Sequence, residues 1–197
     1  AGVPAIITYD MGGTRTDVSR GKDVIAEDTT MRKVCGLPSG VPMIEVHAVG
    51  AGGGSIAHID NAGALKVGPE SAGANPGPVA YNLGNEQPVF TDANLVLGRI
   101  NPHYVLGGRL KIDAQLSRAA MKKQIADPMG LSVEAAAQGV ISVVHSNMAR
   151  AIRVITVEKG HNPSDFTLVA YGRAGPLPPV PLAQAMGPPT ALIPPPP

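Results

Sequence analysis

Over about the first 70 residues, apolar positions come in short runs broken by Gly, Pro and Asn. From about residue 90 onward most of them recur at helical spacing. The first part predicts strands and the second mainly helices, so the chain reads as α/β. Ile6-Ile7-Thr8-Tyr9 predicts a buried strand at about 5–10. Strands at about 16–20 and 23–27 complete a β-meander, with turns at Gly12-Gly13 and Arg20-Gly21-Lys22-Asp23. Residues 29–42 read as a loop and 43–49 as a further strand. Strands at about 55–60 and 64–67 flank a turn at Asn61-Ala62-Gly63. Residues 68–88 are rich in Gly and Pro; they lack the polar monotony of a linker and read as an ordered loop packed on a neighbour. Thr91-Asp92 is expected to cap a helix at about 93–99, with Leu95, Val96 and Ile100 buried. Asp113 caps a second at about 114–126, with Leu116, Ala119, Ala120 and Ile125 inward, and Asp127-Pro128 ends it. Ser132 caps the longest, at about 133–158, where Ala136, Val140, Val143, Val144, Ala151, Ile152 and Ile155 form one stripe and Gly160 terminates it. The chain closes as a strand at 166–170, a glycine turn, a helix at about 177–186 and a strand at 190–193.

Composition changes this picture in a few ways. The chain has four Tyr, two Phe and no Trp, so its core must be aliphatic. The net charge of +1 gives no electrostatic case for nucleic acid or an acidic membrane surface. Cys35, a lone cysteine, rules out an internal disulfide framework and fits a reducing, cytoplasmic setting. No apolar run approaches a membrane span, and no signal segment opens the chain. The start on a strand and the stop in Pro194-Pro195-Pro196-Pro197 read as a piece cut from a larger subunit.

The chemistry concentrates in Asp10-Met11-Gly12-Gly13-Thr14-Arg15-Thr16-Asp17, a tight turn between two strands. Successive N–H groups in such a turn make an anion-binding concavity, and Thr14 and Thr16 add hydroxyl donors. Asp10 and Asp17 repel phosphate but suit Mg²⁺ that bridges to it. The plain alternative is an ordinary Gly-Gly hairpin with polar edges. Gly52 and Gly53 lie in Gly50-Ala51-Gly52-Gly53-Gly54-Ser55, where a close backbone or a ligand needs the space. Gly172, Arg173, Ala174 and Gly175 form the turn before the last helix. A phosphate hairpin followed by a strand–glycine-turn–helix unit is the plan of half of an ATP-binding fold of the actin, hexokinase, acetate kinase and Hsp70 type. Elsewhere, Glu45 and His47 share a strand face and read as an ion-pair site before a metal site, His145 reads as a packed histidine, and Arg150 and Arg153 as solvated or subunit-facing.

Several long stretches resemble the hydantoinase A / oxoprolinase family. They run Asp10 to Val18, Glu45 to Ala57, Val67 to Ala74, Thr91 to Arg99, Asn147 to Arg153 and Val157 to Pro163, in family order. The resemblance implies an actin-like ATPase lobe within a two-lobed subunit, partial here, with the upstream phosphate loop and the C-terminal region absent. It implies ATP and Mg²⁺ or Mn²⁺ as cofactors, and a hydantoinase B-type subunit or domain as partner in a hetero-oligomer. It places Asp10, Gly12, Gly13, Thr14 and Thr16 on the second phosphate loop and Gly172 to Pro176 at the nucleotide. Asp10 and Asp17 are the expected catalytic carboxylates, with the metal at Asp10. The expected reaction is ATP-dependent opening of a cyclic amide of hydantoin or 5-oxoproline type. A ketone carboxylase and a non-catalytic nucleotide-binding scaffold are the alternatives. Arg15 stands where the family usually has Ser, Arg173 where it has Gly, and Pro178-Pro179 where it has His-Ala. Arg15 either adds a phosphate contact or fills the site.

Overall fold

The computed structural model describes residues 3–22, 25–26, 28–29, 32–34, 37–39, 41 and 43–195. Cys35, and the parts of the expected 23–27 strand and 29–42 loop not in those ranges, lie outside the described residues.

The frame is a mixed sheet. Strands β1 (Ala5–Met11), β2 (Thr16–Lys22) and β3 (Ile25–Ala26) form the meander. β4 (Asp28–Thr29) runs into the expected 29–42 loop, which also contains β5 (Arg32–Val34) and β6 (Leu37–Ser39). The single strand expected at 43–49 is split at Glu45 into β7 (Met43–Ile44) and β8 (Val46–Val49), because the two halves pair with different strands. β4 pairs with β7 and β5 with β6, so short ladders satisfy backbone groups there despite the proline and glycines. A separate hairpin follows, β9 (Ser55–Ile59) and β10 (Leu65–Ser71); β10 outruns the expected strand because pairing resumes past a bulge at Ser71–Ser55. The main sheet runs β12-β11-β1-β2-β3 with β8 also on β2, where β11 is Thr167–Tyr171 and β12 is Thr190–Leu192. β12, β11 and β1 are parallel, and β1–β2 and β2–β8 are antiparallel. Alternation along β1 buries Ile7, Tyr9 and Met11 and leaves Asp10 on the opposite face.

Helix α1 (Phe90–Val96) starts earlier than the Thr91-Asp92 cap predicts. Asp92 sits inside its first turn, where its carboxylate accepts the Val89 N–H at 3.0 Å. Helix α2 (Ala114–Met121) is capped by Asp113 as expected, but it passes through a wide π-type turn, 122–126, into α3 (Asp127–Met129). Asp127-Pro128 therefore does not end it; Pro128 falls in the first turn of α3, where its missing N–H is tolerated, and Gly130 in a left-handed conformation ends it. The buried face of this segment is Ser117, Met121, Ile125 and Ala126, whereas Leu116 and Ala120 are half-buried and Ala119 is exposed.

Helix α4 (Val133–Ile155) carries the core stripe, including Ala136, Val140, Val144, Ala151, Ile152 and Ile155, and packs on β2, β8, β10 and α1. Ser132 caps it and Gly160 closes the turn beyond it, both as expected. On length and composition alone, 133–159 is apolar enough to cross a bilayer, contrary to the reading that no run approaches a span. Its buried stripe belongs to the core of this domain. Helix α5 (Pro179–Met186) bridges β11 and β12 and starts two residues later than expected, with prolines at its first turn.

Candidate functional site

Three loops meet at the ends of β1 and β11. The first is the hairpin turn 12–15, closed by the Gly12 N–H donating to Arg15 O at 3.0 Å. The second is the glycine segment 50–54. Gly53 and Gly54 N–H donate to Gly12 O and Gly13 O at 2.9 and 2.6 Å. The buried Thr16 hydroxyl donates to Ala51 O. A Cβ on Gly52 would stand 2.6 Å from Gly13 O, so only glycine lets these backbones approach. The third is the β11–α5 turn. The Ala174 N–H donates to Met11 O at 2.8 Å, and the buried Tyr9 hydroxyl donates to Gly175 O at 2.7 Å. Burial raises the Tyr9 phenol well above its ordinary range, so it remains a donor. Gly172 has φ +86°, and a side chain there would collide with Asp10 Oδ1 and crowd Met11 O.

A cavity of about 360 Å³ opens between these loops. One wall is Gly12, Gly13, Gly53, Arg173 and Ala174, all expected from sequence. Gly54, Gly73, Ala74, Pro78, Tyr81 and Thr91 also line it and were missed. Gly73, Ala74, Pro78 and Tyr81 lie in the 68–88 segment expected to be an ordered loop packed on a neighbour; its first residues, 68–71, belong to β10, and beyond them the Ala72 N–H donates to Gly54 O at 2.9 Å. Ile100, Val105, Leu110, Ile112 and Leu177 form an apolar shelf that no motif announced. Among the described residues, Arg173 is the one charged side chain in the lining.

The remaining expected residues fall around this wall. Thr14 is exposed at the hairpin tip, and among the described residues the Gly13 and Thr14 N–H groups have no hydrogen-bond partner. Thr16, Gly52, Gly172 and Gly175 hold the loops together. Asp10 and Asp17 are directly opposite each other on β1 and β2. Like charges so placed repel unless a cation lies between or beside them. Arg15 Nε pairs with Asp17 Oδ2 at 3.1 Å, which answers the question of where that arginine goes. The pair is solvent-exposed, 69% and 31%, and contributes little stability. Asp10 makes no ion pair among the described residues. No group of three or more His, Cys, Asp or Glu that could hold a metal occurs among those residues. One or two carboxylates suffice for Mg²⁺ when phosphate oxygens complete its shell, so Asp10 with Asp17 fits that ion. Glu45 contacts Lys159 and not His47, in keeping with an ion pair. His145 is half-buried on α4, and among the described residues its Nε2 has no hydrogen-bond partner.

A mixed sheet with a glycine hairpin facing a strand–turn–helix unit across a cavity defines an actin-like ATPase-type lobe. The hydantoinase/oxoprolinase family model matches residues 1–197. The chain belongs to that family. It is 44% identical over 193 residues to the caprolactamase subunit alpha of Pseudomonas jessenii, covering 98% of this chain and 28% of the relative. The crystal structure of the ATP-dependent caprolactamase from that organism superposes with TM-score 0.89 at 44% identity, over 98% of this chain and 28% of that one. A nucleotide-free structure of acetone carboxylase, from work on ATP-dependent acetone carboxylation, gives TM-score 0.86 at 37% identity, over 94% of this chain and 26% of that one. The chain thus spans little more than a quarter of the length of these relatives.

Proposed function

We propose that this chain is the nucleotide-binding lobe of an ATP-dependent enzyme that opens a cyclic amide. The observation that carries the reading is the interlock of the end of β1, which leads into the 12–15 hairpin, with the β11–α5 turn. The Tyr9–Gly175 bond joins residues 166 apart in sequence beside a cavity with a glycine rim and the Arg173 cation. ATP, when bound, supplies the phosphoryl group that activates the amide carbonyl oxygen toward hydrolysis. The Gly13 and Thr14 N–H groups offer donors to phosphate oxygens. Asp10, with Asp17 opposite, would hold the Mg²⁺ that bridges to phosphate. The Arg173 guanidinium offsets negative charge in an otherwise uncharged cavity. The apolar shelf excludes water beside it. The enzyme would work as a hetero-oligomer, a reading supported by the relative being a subunit alpha; a hydantoinase B-type partner and a cytoplasmic setting belong to the same proposal.

The likeness to acetone carboxylase favours a second reading, in which the same activation serves a ketone and bicarbonate. Phosphate release from Mg–ATP by the intact parent complex separates the two. Stimulation by cyclic amides alone is the expected result. Stimulation requiring ketone plus bicarbonate would move the protein to the carboxylases, and tight nucleotide binding with neither response would make it a scaffold.

A further inference from the structure

Among the described residues that line the cavity, Tyr81 and Thr91 are those besides Arg173 whose side chains carry polar atoms. The Thr91 hydroxyl already donates to Gly53 O at 2.9 Å. The Tyr81 hydroxyl has no partner among the described residues, although the residue is half-buried.

The fold goes to some length to hold this tyrosine in place. Its ring edge lies over Gly77, where a Cβ would come within 2.8 Å of Cδ2. Its N–H donates to Pro78 O at 3.0 Å. The two residues before it are fixed by Asp92, whose carboxylate accepts the Val79 and Ala80 N–H groups at 3.0 and 3.1 Å. Asp92 is fully buried and also receives the Ser117 hydroxyl at 2.5 Å. Burial raises the phenol above its ordinary range, and the nearby Arg173 charge pulls the other way without reversing that, so Tyr81 stays a neutral donor. A pinned neutral donor and a cation on the wall of one apolar cavity suit an oxygen that carries negative charge.

We propose that Tyr81 is a ligand-contact residue of this cavity, its hydroxyl donating to an anionic oxygen that Arg173 also faces. The oxygen is either a phosphate oxygen of the nucleotide or the substrate oxygen on which charge develops. The proposal rests on the nucleotide reading above.

Tyr81→Phe removes the hydroxyl and keeps the ring, so the packing on Gly77 survives. In the intact parent enzyme, Mg–ATP affinity is measured by calorimetry without substrate, and kcat and KM with substrate. A hydrogen bond to a charged group is worth a loss of about tenfold or more. If the oxygen is the nucleotide's, Y81F weakens Mg–ATP binding by about that factor. If it is the substrate's, nucleotide affinity holds and kcat falls. In both cases the thermal midpoint stays at the wild-type value, and Y81F with Arg173→Gln loses less than the product of the single losses. Affinity and kcat both within about twofold of wild type would overturn the Tyr81 assignment alone. A wild-type enzyme that binds no Mg–ATP would overturn the nucleotide reading, and the Tyr81 proposal with it.

Discussion

Asp92 takes four hydrogen bonds, from the N–H groups of Val79, Ala80 and Val89 and from the Ser117 hydroxyl, with no exposure to solvent. Buried donors that lose their acceptor carry their full desolvation cost, about 1–3 kcal/mol each before relaxation. Asp92→Ala is therefore expected to destabilise the protein by roughly 3 kcal/mol or more, read as a lower denaturant midpoint. A loss under about 1 kcal/mol would mean that water replaces the carboxylate. The sequence marked Asp92 as a helix cap and got its position near a helix start right. Its larger role was hidden because the Val79, Ala80 and Ser117 partners lie 12 to 25 positions away. Gly172 shows the same limit. The motif named it as a site residue, but the reason, a positive φ against Asp10, needed both strands in place.

At the scale of elements, the strongest patterns were the most readable. Helix α4 lies where its apolar spacing and its Ser132 and Gly160 signals put it. Helix α2 lies where Asp113 predicts, yet its inward face was only partly read: Ile125 is buried as expected, Leu116 and Ala120 are half-buried, Ala119 is exposed, and the buried Ser117 and Met121 were missed. The buried positions Ser117, Met121 and Ile125 follow a strict four-residue step, but Ser117 is polar, and without its Asp92 partner in view Leu116 looks the better core residue. Pattern reading assigns polar residues outward, so a buried hydrogen-bonded serine defeats it. Helix α4 also carries a pH dependence. Burial, with the Arg99 charge adding to it, pushes His145 down from 6.5 to about 4. The unfolded chain then binds the proton at higher pH than the folded one. The stability held by the neutral, packed imidazole is full above about pH 6.5 and is lost as pH falls toward 4. Discounted for partial solvent access, the loss is on the order of 2 kcal/mol. Chemical denaturation at pH 7 and 4.5 should show a slope in the wild type that His145→Gln flattens; parallel slopes would remove His145 as the cause.

For the whole molecule, the sheet brings into one place what the sequence spreads out. The hairpin at 12–15, the glycines at 50–54, the loop at 72–78 and the turn at 172–175 converge because β11 adds in parallel beside β1. Glycine spacing made the hairpin and the last turn readable, and their order suggested an ATPase lobe. The apolar shelf of the cavity was not readable, since Ile100, Val105, Leu110 and Ile112 look like ordinary core or loop residues until the chain is folded. The substrate stays unread for a related reason: glycine, alanine and aliphatic walls carry little chemical signature, and the chain spans 28% of the caprolactamase subunit it resembles. In the proposed reading the Asp10 hairpin serves nucleotide chemistry. The most direct test of that reading is substrate-stimulated phosphate release from Mg–ATP by the intact parent enzyme carrying Asp10→Ala, with the thermal midpoint recorded alongside. Asp10 lies on the half-exposed face of β1, so the fold should survive while turnover falls by about 100-fold or more. Full turnover in a folded D10A enzyme would contradict the assignment of this hairpin to the phosphates.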